Sequence, residues 1–273
     1  MEKSAFILEC KLFREYFADL PDFTLKDIQR RNRFGEVNAI ELSHPRGKVL
    51  VYEEGGMNAI RTLPQSSMPV FSDIFLSGVK NVYLLGFCGS LETGYAIGDF
   101  VIPQSFLDFT KNRTRSFLEE LRPGELFFYR MADPYSPSLV RSLFSVTRKL
   151  GYRSREIENY IIMEGPRFES SAEIQAFIRL GGKAICLSGI PDVYFARELD
   201  LNFVCGFFIS DMAEGLPDSG LDSILETAAE QTISITKIVA NLIDYAIHDQ
   251  TDRHFHVKYW MQKPSPDIYH EIQ

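Results

Sequence analysis

The sequence predicts an α/β protein, a single domain with a central mixed β-sheet flanked by helices, and three observations predict it. Short apolar runs alternate with amphipathic stretches, the rhythm of βαβ units. The chain has 273 residues, 45% of them apolar and 24% charged, which is enough to bury a sizeable core. Small hydroxyl residues and glycines stand where the periodic runs start and stop.

Residues 5–8 and 48–52 read as apolar strands, and 81–87 as a buried strand running into the small-residue turn Gly86-Phe87-Cys88-Gly89-Ser90. Residues 99–103 follow Gly98 and are again strand-like. Leu139, Val140, Leu143, Phe144, Val146 and Leu150 repeat at helical spacing over 137–150, and Gly151 stops that helix. The next helix, 170–180, is capped by Ser170 or Ser171 and ended by Gly181-Gly182. Residues 183–187 form a strand, 192–199 a helix, 203–209 a fully apolar strand, and 221–247 a long amphipathic helix for the outside of the sheet. Residues 110–136 mix charges, Pro123, Gly124 and Pro134 with Phe117, Phe127, Phe128 and Tyr129, and are expected to form a long loop or lid. The domain is expected over 1–250, with a tail over 251–273.

Composition narrows the partners. The net charge of −8 and scattered Lys and Arg argue against nucleic acid. No stretch approaches the roughly 18 apolar residues of a membrane span, and the apolar run near Met1 is too short for a signal peptide. Cys10, Cys88, Cys186 and Cys205 lack metal-ligand spacing and read as reduced thiols of a cytoplasmic protein. His254 and His256 have no third ligand beside them, so no metal is expected.

Ligands of open α/β sheets gather where strands end, and three strand ends carry unusual residues. The small-residue turn at Cys88, Gly89 and Ser90 offers backbone N–H groups to an anion or a sugar hydroxyl, or uses glycine for its own geometry. Phe168 and Glu169 follow Gly165-Pro166 at a helix start. A Phe beside an acid suits a flat heterocycle, although the pair also fits a staple and a first-turn carboxylate. Asp211 follows a run of apolar residues at the rim of the core, where burial would make it a general acid; the alternative is a cap. Leu187-Ser188-Gly189 is a fourth junction, and the Ser188 hydroxyl suits phosphate, ribose or a helix cap.

Taken in order, Gly86-Phe87-Cys88-Gly89-Ser90-Leu91, Gly98-Asp99-Phe100-Val101-Ile102, Glu164-Gly165-Pro166-Arg167-Phe168-Glu169, Leu187-Ser188-Gly189-Ile190-Pro191-Asp192-Val193 and Ser210-Asp211 resemble the nucleoside phosphorylase superfamily. The nearer resemblance is to its trimeric purine nucleoside phosphorylase and methylthioadenosine phosphorylase branch, over residues 49–243. It implies a phosphorylase/hydrolase-like fold, a homotrimer, and cleavage of a purine nucleoside with transfer of the sugar to phosphate as co-substrate. No metal or organic cofactor is implied. By position Asp211 contacts the base near N7, Phe168 lies against the base, and Glu169 faces the N1 edge. Leu187 stands for a methionine behind the ribose, and Ser188 for a hydroxyl that touches phosphate. Cys88, Gly89 and Ser210 line the substrate side. Ser90 and Arg61 join Ser188 as phosphate ligands. Glu169 favours a 6-oxopurine, whereas Asp211 favours a 6-aminopurine; the balance leans to the latter.

The chain also departs from the pattern. Glu9-Cys10-Lys11-Leu12 stands where the superfamily has a glycine-rich loop, and Glu53-Glu54 where it has Arg and His; Arg61 or Lys11 would have to restore the positive charge. Residues 208–214 are also similar to methylthioadenosine/adenosylhomocysteine nucleosidases, which use water. A phosphate-independent nucleosidase is therefore the main alternative. A nucleoside-binding homologue without catalysis and a ligand-free scaffold follow.

Overall fold

In the computed structural model, residues 3–53, 67–217, 221–248 and 265–272 are described. The chain's apolar runs become inner strands buried on both faces, because helices cover both sides of the sheet. β1 (Lys3–Leu8), β4 (Gly47–Glu53) and β5 (Val79–Ser90) run parallel, with Leu8 opposite both Glu53 and Leu85. β9 (Asn202–Met212) runs parallel to β5 on its other side and sets Gly89 opposite Asp211. β6 (Phe100–Asp108), β7 (Ser154–Ile162) and β8 (Gly182–Cys186) pair in parallel. β8 meets β5 at Gly89, and β6 meets β9 at Phe100, both antiparallel. With the edge strands β2 (Thr24–Asn32) and β3 (Gly35–His44), the nine strands described follow the order β2-β3-β4-β1-β5-β8-β7-β6-β9, and the β5–β9 pairing closes the last five into a ring.

One face packs against α2 (Ser67–Leu76) and α6 (Asp192–Glu198), through Phe71, Phe195 and Phe203. The other packs against α4 (Pro137–Lys149) and α7 (Leu221–His248), through Leu139, Leu143, Ile238 and Leu242. α5 (Ser171–Arg179) starts at the expected cap: Ser170 accepts from the Glu173 N–H, and the Glu173 side chain accepts from Ser170.

Four expectations change. The segment 86–90 is not a turn: β5 continues to Ser90, because β9 and β8 supply backbone partners on both sides. The edge hairpin β2 (Thr24–Asn32) and β3 (Gly35–His44) was not anticipated. Within 110–136 lies α3 (Phe117–Leu121), whose Phe117 packs in the core against Phe34 and Phe195 rather than on a lid. The end of the expected tail joins the domain: α8 (Asp267–His270) and the residues after it bury Ile268 and Ile272, and Arg122 holds Glu271 at 2.7 Å. His254 and His256 lie outside the described residues.

Glu198, at the end of α6, is buried and accepts the Phe117 N–H at 2.7 Å, while its Oε1 has no partner among the described residues. Burial pushes its carboxyl up to about 7, against hydrogen bonds from Ser116 and the backbone of Phe117 and Leu118. The folded protein therefore holds a proton that the unfolded chain releases above its ordinary carboxylate range, near 4.5. Stability falls as pH rises through the window from 4.5 to about 7. Glu198→Gln is expected to be more stable than wild type at pH 8 by roughly 1–3 kcal/mol, and to lose that advantage at pH 5, in urea unfolding at the two pH values.

Candidate active site

The C-terminal ends of β1, β4, β5 and β9 and the chain after β8 converge at one rim of the sheet. β9 carries Asp211 out of a fully buried apolar run. Its Oδ2 would stand 3.3 Å from a Cβ at Gly89, so the glycine keeps the space beside the carboxyl open. The buried Ser210 hydroxyl donates to Asp211 Oδ1 at 2.6 Å and has the Cys88 carbonyl oxygen 3.3 Å away. Burial raises the Asp211 pKa, the Ser210 hydrogen bond opposes it, and the Glu214 charge adds to it. A carboxyl that keeps its proton longer is a better acid near neutrality.

Glu169, half-buried between β7 and α5, is also raised by burial, and the charges of Glu173 and Asp211 push the same way. Phe168 is 48% exposed, so its ring is not a staple locked in the core. Arg167 turns away to Glu173, at 2.7 Å.

After β8, Leu187 is half-buried and Ser188 is fixed by its carbonyl, which accepts from the Tyr160 hydroxyl at 3.1 Å. The Ser188 hydroxyl donates to Glu9 Oε1. Glu9 Oε2 accepts the Phe87 N–H at 2.7 Å, and a Cβ on Gly86 would lie 1.6 Å from that oxygen. Burial pushes Glu9 up to about 7; the bonds from Ser188 and Phe87 oppose this, the Asp192 charge adds to it, and Arg113 opposes it.

One expected anion ligand is not brought here. Ser90 is wholly buried, and its hydroxyl donates to the Glu92 carbonyl at 3.0 Å and accepts the Glu92 N–H at 3.1 Å. Arg61 and Glu54 lie outside the described residues. Glu53, the other acid after β4, accepts the Leu12 N–H at 2.7 Å and so anchors the loop that follows Glu9.

Sequence reasoning missed three residues. Glu9 had a signal, an acid directly after an apolar strand, but its partner Gly86 is distant in sequence. Arg113 lies in the expected loop; its guanidinium donates to the carbonyls of Ile190 and, at 2.9 Å, Met163, and its Nε is 3.8 Å from Glu164. Asp192 is buried at the start of α6, with one carboxyl oxygen unpartnered among the described residues. A cleft of about 680 Å³ opens elsewhere, lined by Arg30, Arg31, Lys48, Asp73 and Leu76 among others. It shares no residue with the site, and its Arg30–Asp73 and Lys48–Glu41 pairs neutralise one another.

The profile described as Phosphorylase superfamily matches residues 5–244. The chain is 32% identical over 177 residues to the S-methyl-5′-thioadenosine phosphorylase of Nitrosopumilus maritimus, covering 64% of this chain and 65% of that one. It is 31% identical over 168 residues to the 6-oxopurine nucleoside phosphorylase of Pyrococcus furiosus, covering 59% and 63%. The chain spans less than two thirds of the length of each of these two relatives. Among solved structures, a methylthioadenosine phosphorylase from an antarctic soil metagenomic library superposes with a TM-score of 0.80 at 18% identity, covering 100% of this chain and 99% of that one. A mutant adenosine/methylthioadenosine phosphorylase from Schistosoma mansoni, in complex with adenine, gives 0.81 at 17% identity, covering 92% and 93%. These likenesses establish the fold. Among the described residues no helix is long and apolar enough to cross a membrane.

Proposed function

Because the chain belongs to the phosphorylase superfamily, we propose that it cleaves the N-glycosidic bond of purine nucleosides and passes the sugar to phosphate. The observation that supports the reading is Asp211, a carboxyl at the end of β9 whose pKa is raised by burial, bonded by the Ser210 hydroxyl and with Gly89 leaving the space beside it open. Breaking the bond leaves electron density on the purine and positive charge on the ribose. Asp211 delivers a proton or a hydrogen bond at N7, so the base departs neutral. Phe168 stacks on the ring, and Ser188 and Leu187 lie at the sugar and acceptor side.

The substrate class is the 6-aminopurine nucleosides. An adenine N1 accepts a hydrogen bond, and burial moves Glu169 toward the protonated form that donates one. The relative from Nitrosopumilus maritimus supports this choice by its name. The enzyme is proposed to act in the cytoplasm as a homotrimer without metal or organic cofactor. A second reading, hydrolysis, is favoured by one observation: Glu9 takes the Phe87 N–H and the Ser188 hydroxyl, donors that an anionic acceptor could otherwise use.

The test incubates adenosine, methylthioadenosine and inosine with and without phosphate and follows the free base. Phosphate-dependent release from adenosine or methylthioadenosine, faster than from inosine, is expected. Release that ignores phosphate would establish the hydrolytic reading, and no release from any of the three would overturn bond cleavage itself.

A further inference from the structure

The end of β1 holds a device that the resemblance does not imply. Two hydrogen-bond donors, the Phe87 N–H and the Ser188 hydroxyl, converge there, one on each oxygen of the half-buried Glu9 carboxyl. Gly86 makes the arrangement possible, since a Cβ at that position would fall 1.6 Å from Glu9 Oε2. Two donors set to grip the oxygens of one acid make an oxyanion seat, and the chain fills it with its own carboxylate.

We propose that Glu9 is the acceptor-selecting residue of this enzyme: its carboxylate competes with phosphate for the Phe87 N–H and the Ser188 hydroxyl. The inference rests on the reading that the site cleaves purine nucleosides with phosphate as acceptor. A phosphate oxygen and a Glu9 oxygen cannot share these donors, and two anions side by side repel. The neighbouring charges sharpen the competition. Asp192 is close enough to raise Glu9, while the opposing cation, Arg113, already spends hydrogen bonds on the carbonyls of Ile190 and Met163. Glu53 is held by the Leu12 N–H at the neighbouring strand end and adds a further acid to this rim. Phosphate therefore enters only when Glu9 swings out of the seat, and its apparent affinity is reduced by the fraction of molecules in which the seat is filled.

The test compares wild type with Glu9→Ser, which empties the seat, and Glu9→Gln, which keeps its volume and removes the charge. Two readouts are taken: the phosphate KM at saturating methylthioadenosine, and the thermal shift produced by inorganic phosphate alone. Glu9→Ser is expected to lower the phosphate KM at least tenfold and to gain a phosphate-induced shift that wild type lacks. Glu9→Gln is expected to fall between them, and it decides the matter should Glu9→Ser fail to fold. Equal phosphate KM and equal shifts in all three proteins would overturn the proposal, as would a wild type that binds phosphate more tightly than either variant. Absence of turnover with every nucleoside would instead sink the cleavage reading, while the thermal shifts would still decide the role of Glu9.

Discussion

Asp211→Asn is expected to lower kcat for purine nucleoside cleavage by about 10²–10⁴-fold, with a much smaller change in KM. The amide has nearly the same shape, so the Ser210 hydroxyl keeps an oxygen to bond and the pocket keeps its volume. Proton delivery is what is lost. The wild-type carboxyl is half-buried at the end of β9; burial, with Glu214 adding to the upward pull, raises its pKa, so it holds its proton longer than an exposed aspartate does. The amide can only donate a hydrogen bond to N7, so the departing purine must leave with its negative charge partly uncompensated. Steady-state kinetics with adenosine and methylthioadenosine measure the effect. A loss of less than about tenfold would mean that proton transfer to the base is not demanding and that Asp211 serves chiefly in binding.

Gly189→Ala is expected to destabilise the protein by about 2–5 kcal/mol, from two causes that add. Gly189 has φ +95°, a conformation that strains any residue with a Cβ. Its added methyl would also lie 2.0 Å from the Tyr160 hydroxyl oxygen. Tyr160 is wholly buried and packs at a tilt against Phe207, so its ring has little room to retreat. Relief must come from the 187–190 stretch, which would pull the Ser188 carbonyl off the Tyr160 hydroxyl and the Ser188 side chain off Glu9. Urea unfolding measures the loss. A change below about 1 kcal/mol would show that this stretch relaxes freely and that Ser188 is not rigidly placed.

β1, β4, β5, β8 and β9 were legible as short apolar runs, α4 and α5 from periodicity and end signals, and α7 from its long amphipathic run; the inner strand β7 was not, because Arg155, Glu156, Glu158 and Asn159 break up its apolar residues. β2 was not, since Lys26, Asp27, Gln29, Arg30 and Arg31 crowd it with charge and polarity and leave little alternation to detect. Asp211, Phe168, Glu169 and Ser188 were legible as residues out of place at strand ends. Glu9 was visible as the absence of a glycine-rich loop, but its role depends on Leu8 lying opposite Leu85, which brings it to Gly86. Arg113 reaches its partners from 50 and 77 positions away in sequence, a closure that no local pattern announces. Ser90 misled for the opposite reason: Gly and Ser there signal a bend, whereas pairing on both sides keeps the backbone extended.

The pairing that joins β5 to β9 divides labour between the two halves of the pocket. Asp211 and its glycine neighbour ride on a hoop of strands with no loose end, so a shift of either disturbs the backbone pairing of β5 with β9. Phe168 and Glu169 hang from a connecting segment outside that hoop. In the proposed reading, a change of preferred base can therefore accumulate in the segment from Met163 to Ser170 while Asp211 stays where it is.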